Sequence, residues 1–251
     1  MIEDVFSVPM GDGYSLHGRI NYADEETDKA VIFCHGLTGH MYEHPYMTAR
    51  VFFAARGYDV IRFNFYGDES DARPITDCTV ALHAEDLLRL LTHFVPKYRN
   101  LYVAGHSYGG LAILMANPPQ VSAVSLWDGT FIPFAEDESF SAPWFYNKEL
   151  GEYMVNWPPI ARVVGNKFYD ETRSFTTPRM TQWAADFYKP AQVLAAGGFT
   201  ENMPYQAKLF DELASKEKEF TPIAGAGHGF NEGVAVFDLL ENTHRWFERF
   251  Q

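Results

Sequence analysis

The five residues Gly105 to Gly109, which read GHSYG, constrain this chain more than any other feature. An apolar run of strand type, residues 100–104, precedes them, and a helical run, residues 110–117, follows them until two consecutive prolines. A serine between two glycines on such a strand-to-helix turn exposes its hydroxyl, because a Cβ at either glycine would collide with the neighbouring strand or helix. The helix behind Ser107 also directs unpaired N–H groups toward charge that develops near its oxygen. We therefore interpret this segment as a nucleophile elbow.

Strands and helices alternate along most of the chain after an antiparallel start. Residues 5–22 predict a hairpin that turns at a Gly-Asp-Gly sequence. Later strand patterns, such as residues 30–34, are continuously apolar, which is typical of a parallel sheet covered on both faces. We expect an α/β fold with a mostly parallel central sheet and helices on both of its faces.

The segment from 131 to 188 interrupts this alternation. It holds fourteen aromatic residues and five prolines, and it is too long for a simple connection. We therefore predict a core formed by residues 1–130 and 189–251 and an inserted cap formed by residues 131–188. Most of the cap's rings would form its own small core, and a few would line an apolar pocket above Ser107. The candidates for contact with a substrate are Trp144, Trp157 and Trp183.

Charge and cysteine content narrow the range of partners and locations. A formal net charge of −13 disfavours nucleic acid or an anionic membrane as the main partner, and it makes a strongly anionic substrate less attractive. The first residues carry acid rather than base, and no apolar run approaches membrane-spanning length, so we expect neither a signal peptide nor a membrane span. Cys34 and Cys78 make no disulfide framework, and Cys34 lies in an apolar strand where we expect it to be buried. A cytoplasmic location fits these features best.

His228 is the candidate base for the serine, because a serine hydroxyl needs a histidine that an acid holds in one tautomer. It follows a late strand in a glycine-rich segment, from which it can reach a serine at the end of another strand. His35 and His106 lie inside turn motifs, where we expect them to brace the backbone. The trio His35, His40 and His44 lacks a convincing set of metal-ligand spacings, so we expect no metal site. We also expect no cofactor, since no phosphate loop or dinucleotide fingerprint is present.

Two backbone amides are candidates for an oxyanion hole. Tyr108 follows the serine, and its N–H lies at the start of the helix. Leu37 lies in the segment His35-Gly36-Leu37-Thr38-Gly39, after an apolar strand, and Gly36 would let the chain turn so that the Leu37 amide faces the elbow.

Four segments together resemble the α/β-hydrolases of the serine esterase/lipase type. These segments are His35-Gly36-Leu37, the FNFYGDES sequence of residues 63–70, Gly105 to Gly109, and Gly227-His228, and they extend from residue 30 to the end of the chain in the family's order. The resemblance implies the α/β-hydrolase fold, Ser107 as nucleophile, His228 as base and the segment around Leu37 as oxyanion loop. It also implies an insertion at the place of the cap.

The acid is where this sequence departs from the family's pattern. Most members carry it after the strand that follows the cap, at a Gly-x-x-Asp site, and here Gly198 is followed three residues later by Glu201. The other candidate is Asp128, which directly follows the strand after the elbow helix. We favour Asp128 because a short side chain close to the sheet has fewer rotamers to order, and we keep Glu201 as the alternative. Four further carboxylates on the scaffold are interpreted as surface or capping groups: Asp59, Asp68, Asp86 and Asp238.

These residues predict a serine hydrolase that cleaves a carboxylic ester of a small to medium apolar or aromatic acyl group through an acyl-enzyme. The partner would be a small-molecule ester, and the sequence does not indicate an oligomeric state. A thioesterase, amidase or peptidase would use the same triad. A non-catalytic ligand-binding protein that keeps the pocket but not turnover is the alternative from another class.

Overall fold

A central sheet of eight strands dominates the computed structural model, which describes residues 2–137, 144–157 and 160–251, with the side chains of residues 157 and 160 left undescribed. Among these residues the strands are β1 (Glu3–Pro9), β2 (Ser15–Asn21), β3 (Lys29–Cys34), β4 (Asp59–Asn64), β5 (Asn100–His106), β6 (Ala123–Trp127), β7 (Trp144–Asn147), β8 (Glu152–Trp157), β9 (Ile160–Val163), β10 (Ala191–Ala196) and β11 (Lys218–Ile223). The central sheet has the order β1-β2-β4-β3-β5-β6-β10-β11. β1, β2 and β4 pair antiparallel, and the strands from β4 to β11 in this order pair in parallel.

Helices cover both faces of this sheet. The described helices are α1 (His44–Ala54), α2 (Val80–Phe94), α3 (Tyr108–Ala116), α4 (Asn166–Thr172), α5 (Thr177–Ala185), α6 (Met203–Glu212) and α7 (Ala235–Phe247), with 3-10 turns at Ile75–Asp77 and Glu248–Phe250. One hydrophobic cluster joins Leu87 of α2 and Leu111 of α3 to one face, and a second joins Phe53 of α1 and Leu239 of α7 to the other. The expected α/β architecture with helices on both faces of a mostly parallel sheet is confirmed.

The segment between β6 and β10 contains a small sheet and two helices. β7, β8 and β9 pair antiparallel, and α4 and α5 follow them. Val155, Phe168 and Phe175 of this segment are buried in the same cluster as α2 and α3, so its apolar side chains continue the main core. The sequence predicted an inserted unit here but not its strands.

Glu171 of α4 attaches this segment to the core. Its carboxylate accepts the backbone N–H of Val80 at 2.5 Å and that of Ala81 at 2.9 Å, at the start of α2. The hydroxyl of Thr79 accepts the N–H of Leu82 at the same helix end, at 3.0 Å. A carboxylate at a helix N-terminus is favourable because the free N–H groups there carry partial positive charge.

Two carboxylates that we interpreted as surface groups are buried instead. Asp86 forms an ion pair with Arg73 inside the core, and Asp59 accepts the hydroxyl of Tyr98 at 2.7 Å and the N–H of Ala23 at 2.9 Å. The interpretation was wrong for both, because their partners come from distant parts of the chain. A buried carboxylate is retained when such partners replace its lost hydration.

Candidate active site

Ser107 lies on a strained turn between β5 and α3, as the sequence predicted. Its φ of 54° and ψ of −121° are unusual for a residue with a side chain. A Cβ on Gly109 would lie 2.3 Å from the carbonyl oxygen of Cys34, and a Cβ on Gly105 would lie 2.6 Å from that of Gly109. Because both contacts involve backbone, each position requires glycine. The N–H of Ser107 donates to the carbonyl of Trp127 at 3.0 Å, which ties the turn to β6.

His228 reaches Ser107 from the loop between β11 and α7. Its Nε2 lies 3.0 Å from Ser107 Oγ, and its side chain is 41% exposed. The ring of His106 packs beside it, with 4.6 Å between the ring centroids, and the His106 Nε2 lies 2.7 Å from the His228 carbonyl. His106 therefore braces the backbone of the loop, as expected from its place in the turn. Burial lowers the pKa of His106, so its ring is a neutral donor to this carbonyl.

Asp128, at the end of β6, lies against the other side of the His228 ring. Its Oδ2 is 2.6 Å from His228 Nδ1, and its Oδ1 accepts the backbone N–H of Ala196 at 3.2 Å. The side chain is only 1% exposed, and the residue has a φ of 44°. Glu201 is exposed on the loop after β10, and no hydrogen bond joins it to His228 within the described residues. The ring of Phe199 from that loop contacts His228 instead, at 5.6 Å between centroids.

These two contacts are compatible with a single tautomer of His228. In that tautomer Nδ1–H donates to Asp128, and Nε2 accepts the hydroxyl proton of Ser107. A histidine arranged in this way can remove the proton from a serine hydroxyl while the carboxylate stabilises the resulting imidazolium. The three side chains come from the ends of β5, β6 and β11, which lie at the same edge of the sheet.

The loop after β3 passes directly beside Ser107. A Cβ on Gly36 would lie 3.0 Å from the Cβ of Ser107, which is tighter than most Cβ contacts, so glycine favours this close approach of the loop. The Nδ1 atom of His35 lies 2.8 Å from the carbonyl oxygen of Gly36, and its Nε2 accepts the N–H of Phe65 at 3.0 Å. One donating and one accepting nitrogen require a neutral ring, and burial lowers the pKa of His35 to about 4. His35 therefore braces the loop, as the sequence predicted.

Leu37 follows Gly36 in the loop beside the serine, and Tyr108 follows the serine itself at the start of α3. Neither backbone N–H has a protein acceptor among the described residues. The Tyr108 amide lies in the first turn of α3, where the N–H groups of a helix have no acceptor within the helix. Thr38, the next residue of the loop, has a φ of 63°, and its carbonyl accepts Arg162 Nη1 of β9 at 2.8 Å. The loop is thus tied both to the core and to the inserted segment.

Aromatic rings from the inserted segment surround the side chain of Tyr108. Phe134 stacks on it at 6.0 Å between centroids, and Phe168 meets it edge-on at 5.3 Å. Trp144 stacks on Phe168 at 6.4 Å and so lies one ring further from the elbow. Trp183 packs edge-on against Phe175 at 5.5 Å, within the inserted segment. The side chain of the third candidate, at position 157, lies outside the described residues.

Phe134 and Phe168 are the two rings that the sequence analysis missed. Both lie in the aromatic-rich segment, but neither forms a motif with its neighbours in the sequence. Contact with Tyr108 depends on how the segment folds back over α3, which no local sequence pattern indicates.

Comparison with known proteins identifies the family. The family profile described as the Alpha/beta hydrolase family matches residues 31–238. The chain therefore belongs to the α/β hydrolase family, a family of hydrolytic enzymes. A comparison with curated proteins finds no match. Within the described residues, no helix is long and apolar enough to cross a membrane.

Solved structures with a similar fold include several hydrolases. The esterase domain of a Rhodothermus marinus protein is 19% identical, with 100% of this chain and 99% of that chain covered and a TM-score of 0.75. Est1E from Butyrivibrio proteoclasticus, with ferulic acid bound, is 16% identical over 98% of each chain, with a TM-score of 0.77. A dienelactone hydrolase from Anabaena variabilis is 17% identical over 99% of this chain and 98% of that chain, with a TM-score of 0.70. At these identities the likeness concerns the fold.

Proposed function

We propose that this protein hydrolyses carboxylic esters through an acyl-enzyme formed on Ser107. The observation that carries the proposal is the unbroken series of contacts from Asp128 through His228 to Ser107, at 2.6 Å and 3.0 Å. This series also supports an active enzyme over a protein that only binds ligands, because a binding pocket needs no proton path to a serine.

The proposed reaction has two steps, acylation of Ser107 and hydrolysis of the acyl-enzyme, and His228 transfers a proton in both. Ser107 Oγ attacks the ester carbonyl while its proton moves to His228 Nε2, and Asp128 stabilises the imidazolium. The negative oxygen that forms is stabilised by the amides of Leu37 and Tyr108. The bond between the carbonyl carbon and the alcohol oxygen then breaks, and the alcohol leaves with the proton from His228. Water then gives a proton to His228 and attacks the carbonyl carbon of the acyl group. The bond from this carbon to Ser107 Oγ breaks, Oγ takes the proton back from His228, and the carboxylic acid leaves.

The inserted segment favours a small to medium apolar or aromatic acyl group. Phe134 and Phe168 flank Tyr108 directly, and Trp144 extends this set of rings. Stacked and edge-on ring contacts of this kind accept a planar apolar group readily. Est1E, which shares the fold, binds ferulic acid, and ferulic acid is an aromatic carboxylic acid.

Covalent labelling with a fluorophosphonate tests the nucleophile. We expect the native protein to be labelled and the Ser107→Ala and His228→Ala variants to lose the label. Ser122→Ala and His93→Ala are the matched controls, because they remove the same side chains away from the site, and both should keep the label. A native protein that takes no label while correctly folded would refute the proposal.

A panel of nitrophenyl esters tests the acyl group. We expect aromatic and medium-length aliphatic acyl groups to give higher kcat/KM values than acetate. Trp144→Ala should reduce this preference more than it reduces the turnover of the acetate ester, since Trp144 is the partly exposed ring of this set whereas Phe168 is buried. An acetate ester that is hydrolysed best by both proteins would contradict the assignment of the acyl pocket.

A further inference from the structure

Two peptide groups of the loop after β3 are joined by a hydrogen bond. The first peptide group consists of the Thr38 carbonyl and the Gly39 N–H, and this N–H donates to the carbonyl oxygen of Gly36 at 3.1 Å. The second consists of that Gly36 carbonyl and the Leu37 N–H. Because a trans peptide is planar, its carbonyl and its N–H point in opposite directions. A donor that holds the Gly36 carbonyl therefore also fixes the direction of the Leu37 N–H.

Arg162 of β9, in the inserted segment, binds the outer end of this pair. Its Nη1 donates to the Thr38 carbonyl at 2.8 Å. At the other end the Leu37 N–H has no protein acceptor among the described residues. The hydrogen bonds therefore run in one direction, from the guanidinium through the two peptide groups to the free amide. We call this series the Arg162 relay.

The positive charge of Arg162 is not neutralised by a carboxylate. In the part of the chain that the structure describes, no acidic side chain forms an ion pair with it, and its acceptor is the Thr38 carbonyl. The charge acts on the loop, because the pKa of His40 is lowered by burial and further by Arg162. An ionised donor forms a stronger hydrogen bond than a neutral one, and each bond in a series strengthens the next by about 10–30%. The relay therefore makes the Leu37 N–H a stronger donor.

Two side chains of the core also donate to the Gly36 carbonyl. The Nδ1 atom of the neutral His35 ring lies 2.8 Å from this oxygen, and the hydroxyl of Tyr66 lies 3.4 Å from it. Burial raises the pKa of Tyr66, so its hydroxyl keeps the proton that it donates. The core thus fixes the orientation of the peptide group, and Arg162 adds a charged donor from the inserted segment.

We propose that Arg162 is a positioning residue for the oxyanion hole and acts on the Leu37 amide through the Arg162 relay. This inference rests on the proposed ester hydrolysis at Ser107. In that reaction negative charge develops on the carbonyl oxygen in the transition state and is small in the bound ester. A stronger Leu37 donor therefore raises kcat and leaves KM nearly unchanged. The inserted segment then contributes to the chemical step as well as to the acyl pocket.

An ester and a boronic acid with the same side chain test this role. The ester is 4-nitrophenyl 3-phenylpropanoate, and the inhibitor is 2-phenylethylboronic acid, which forms an anionic tetrahedral adduct with a serine hydroxyl. Removal of a whole oxyanion-hole donor costs about 10²- to 10³-fold in kcat, and the relay supplies about 10–30% of the strength of one donor. We expect Arg162→Ala to lower kcat about threefold and to raise the Ki of the boronic acid about threefold, with KM nearly unchanged. The kcat is expressed per Ser107 labelled by the fluorophosphonate, so unfolded protein does not imitate the effect.

Two further variants separate the relay from a loss of positive charge elsewhere. Arg162→Lys keeps a charged donor, and we expect it to recover most of the lost kcat and of the affinity for the boronic acid. Arg99→Ala removes an exposed arginine at the opposite end of β5 from Ser107, and it should keep all three native values. A native Ki in Arg162→Ala, or a KM that rises while kcat stays native, would overturn the inference alone. If the native protein does not hydrolyse the ester in a Ser107-dependent manner, the proposed function itself fails and the inference falls with it.

Discussion

The exchange of Asp128 for asparagine is the most informative single change in the triad. The two oxygens of Asp128 have different partners, since Oδ1 accepts the Ala196 N–H and Oδ2 accepts from His228 Nδ1. An asparagine that keeps the first contact must direct its NH2 group at Nδ1. The imidazole can then offer only a lone pair at Nδ1, and its proton moves to Nε2, which faces Ser107. In the opposite amide orientation the asparagine oxygen faces Nδ1 and its NH2 group faces the Ala196 N–H. Two hydrogen-bond donors then face each other in a buried position, which is unfavourable.

The size of the effect follows from this geometry. The Asp128 side chain is 1% exposed, so water cannot replace the lost acceptor. A wrong tautomer in a serine triad lowers kcat by about 10⁴-fold, equivalent to about 5.5 kcal/mol of transition-state stabilisation. We expect the Asp128→Asn variant to lose between about 10³- and 10⁴-fold in kcat on a nitrophenyl ester. Its substrate binding should change little, because Asp128 lies behind the histidine.

The matched control is Glu201→Gln, which removes the carboxylate that the family's pattern would favour. We expect it to keep native kcat, since Glu201 is exposed and the carboxylate in contact with His228 Nδ1 is that of Asp128. Thermal unfolding of both variants separates a loss of chemistry from a loss of fold. If Asp128→Asn keeps more than a tenth of native kcat while Glu201→Gln loses most of it, the reasoning from the two oxygens is wrong.

Three further predictions concern the elbow, the loop beside it and the buried histidines. Gly109→Ala places a Cβ 2.3 Å from the Cys34 carbonyl, so we expect about 3 kcal/mol of destabilisation and a melting temperature about 6 to 12 °C lower by circular dichroism. Arg162→Ala removes the 2.8 Å contact to the Thr38 carbonyl, and kcat should fall about threefold with KM nearly unchanged; an unchanged kcat would contradict a role in positioning the loop. Burial lowers the pKa of His35 to about 4 in the folded chain, whereas a histidine in the unfolded chain has a pKa of about 6.5. Between these two pH values His35 is therefore protonated in the unfolded chain and neutral in the folded chain. Its contribution to stability is therefore present above pH 6.5 and is lost at about 1.4 kcal/mol per pH unit as the pH falls toward 4. Urea unfolding at pH 7 and pH 5 measures this loss, and the stability lost between these two pH values should be smaller by about 2 kcal/mol in His35→Gln.

The sequence predicted the fold well because its signals are local. Continuous apolar runs imply strands covered on both faces. The glycines at positions 105 and 109 imply close packing of backbone, and in the structure a Cβ at either position would lie only 2.6 Å or 2.3 Å from a backbone carbonyl oxygen. The inserted segment gave a weaker signal. Its strands β7 and β9 have four residues each, and Phe145 and Tyr146 of β7 are exposed, so neither length nor alternation distinguished them from loop.

Contacts between distant residues were the part that the sequence could not predict. Asp86 looks like any helix-surface carboxylate until Arg73 is placed beside it, and Phe168 looks like any ring of the inserted segment until it meets Tyr108. In both cases the partner is fixed by packing across elements rather than by spacing along one element. The choice of the acid also depended on contacts between distant residues. Residue type and position after a strand fitted both Asp128 and Glu201, so the sequence favoured Asp128 without excluding Glu201.

The geometry of the sheet explains how the acid that we propose can lie at the end of β6 rather than at the end of β10. β6 lies between β5, which carries Ser107, and β10, so its end is one strand nearer to the serine. Asp128 is tied to both sides, because its N–H donates to Leu194 of β10 at 2.7 Å and the preceding residue accepts the N–H of Ser107 at 3.0 Å. The last residue of β10 still contributes to the site through the Ala196 N–H on the carboxylate, and the loop after β10 contributes the Phe199 ring against His228. The β10 end thus holds Asp128 and packs against His228, so the triad that we propose requires no carboxylate from the exposed Glu201.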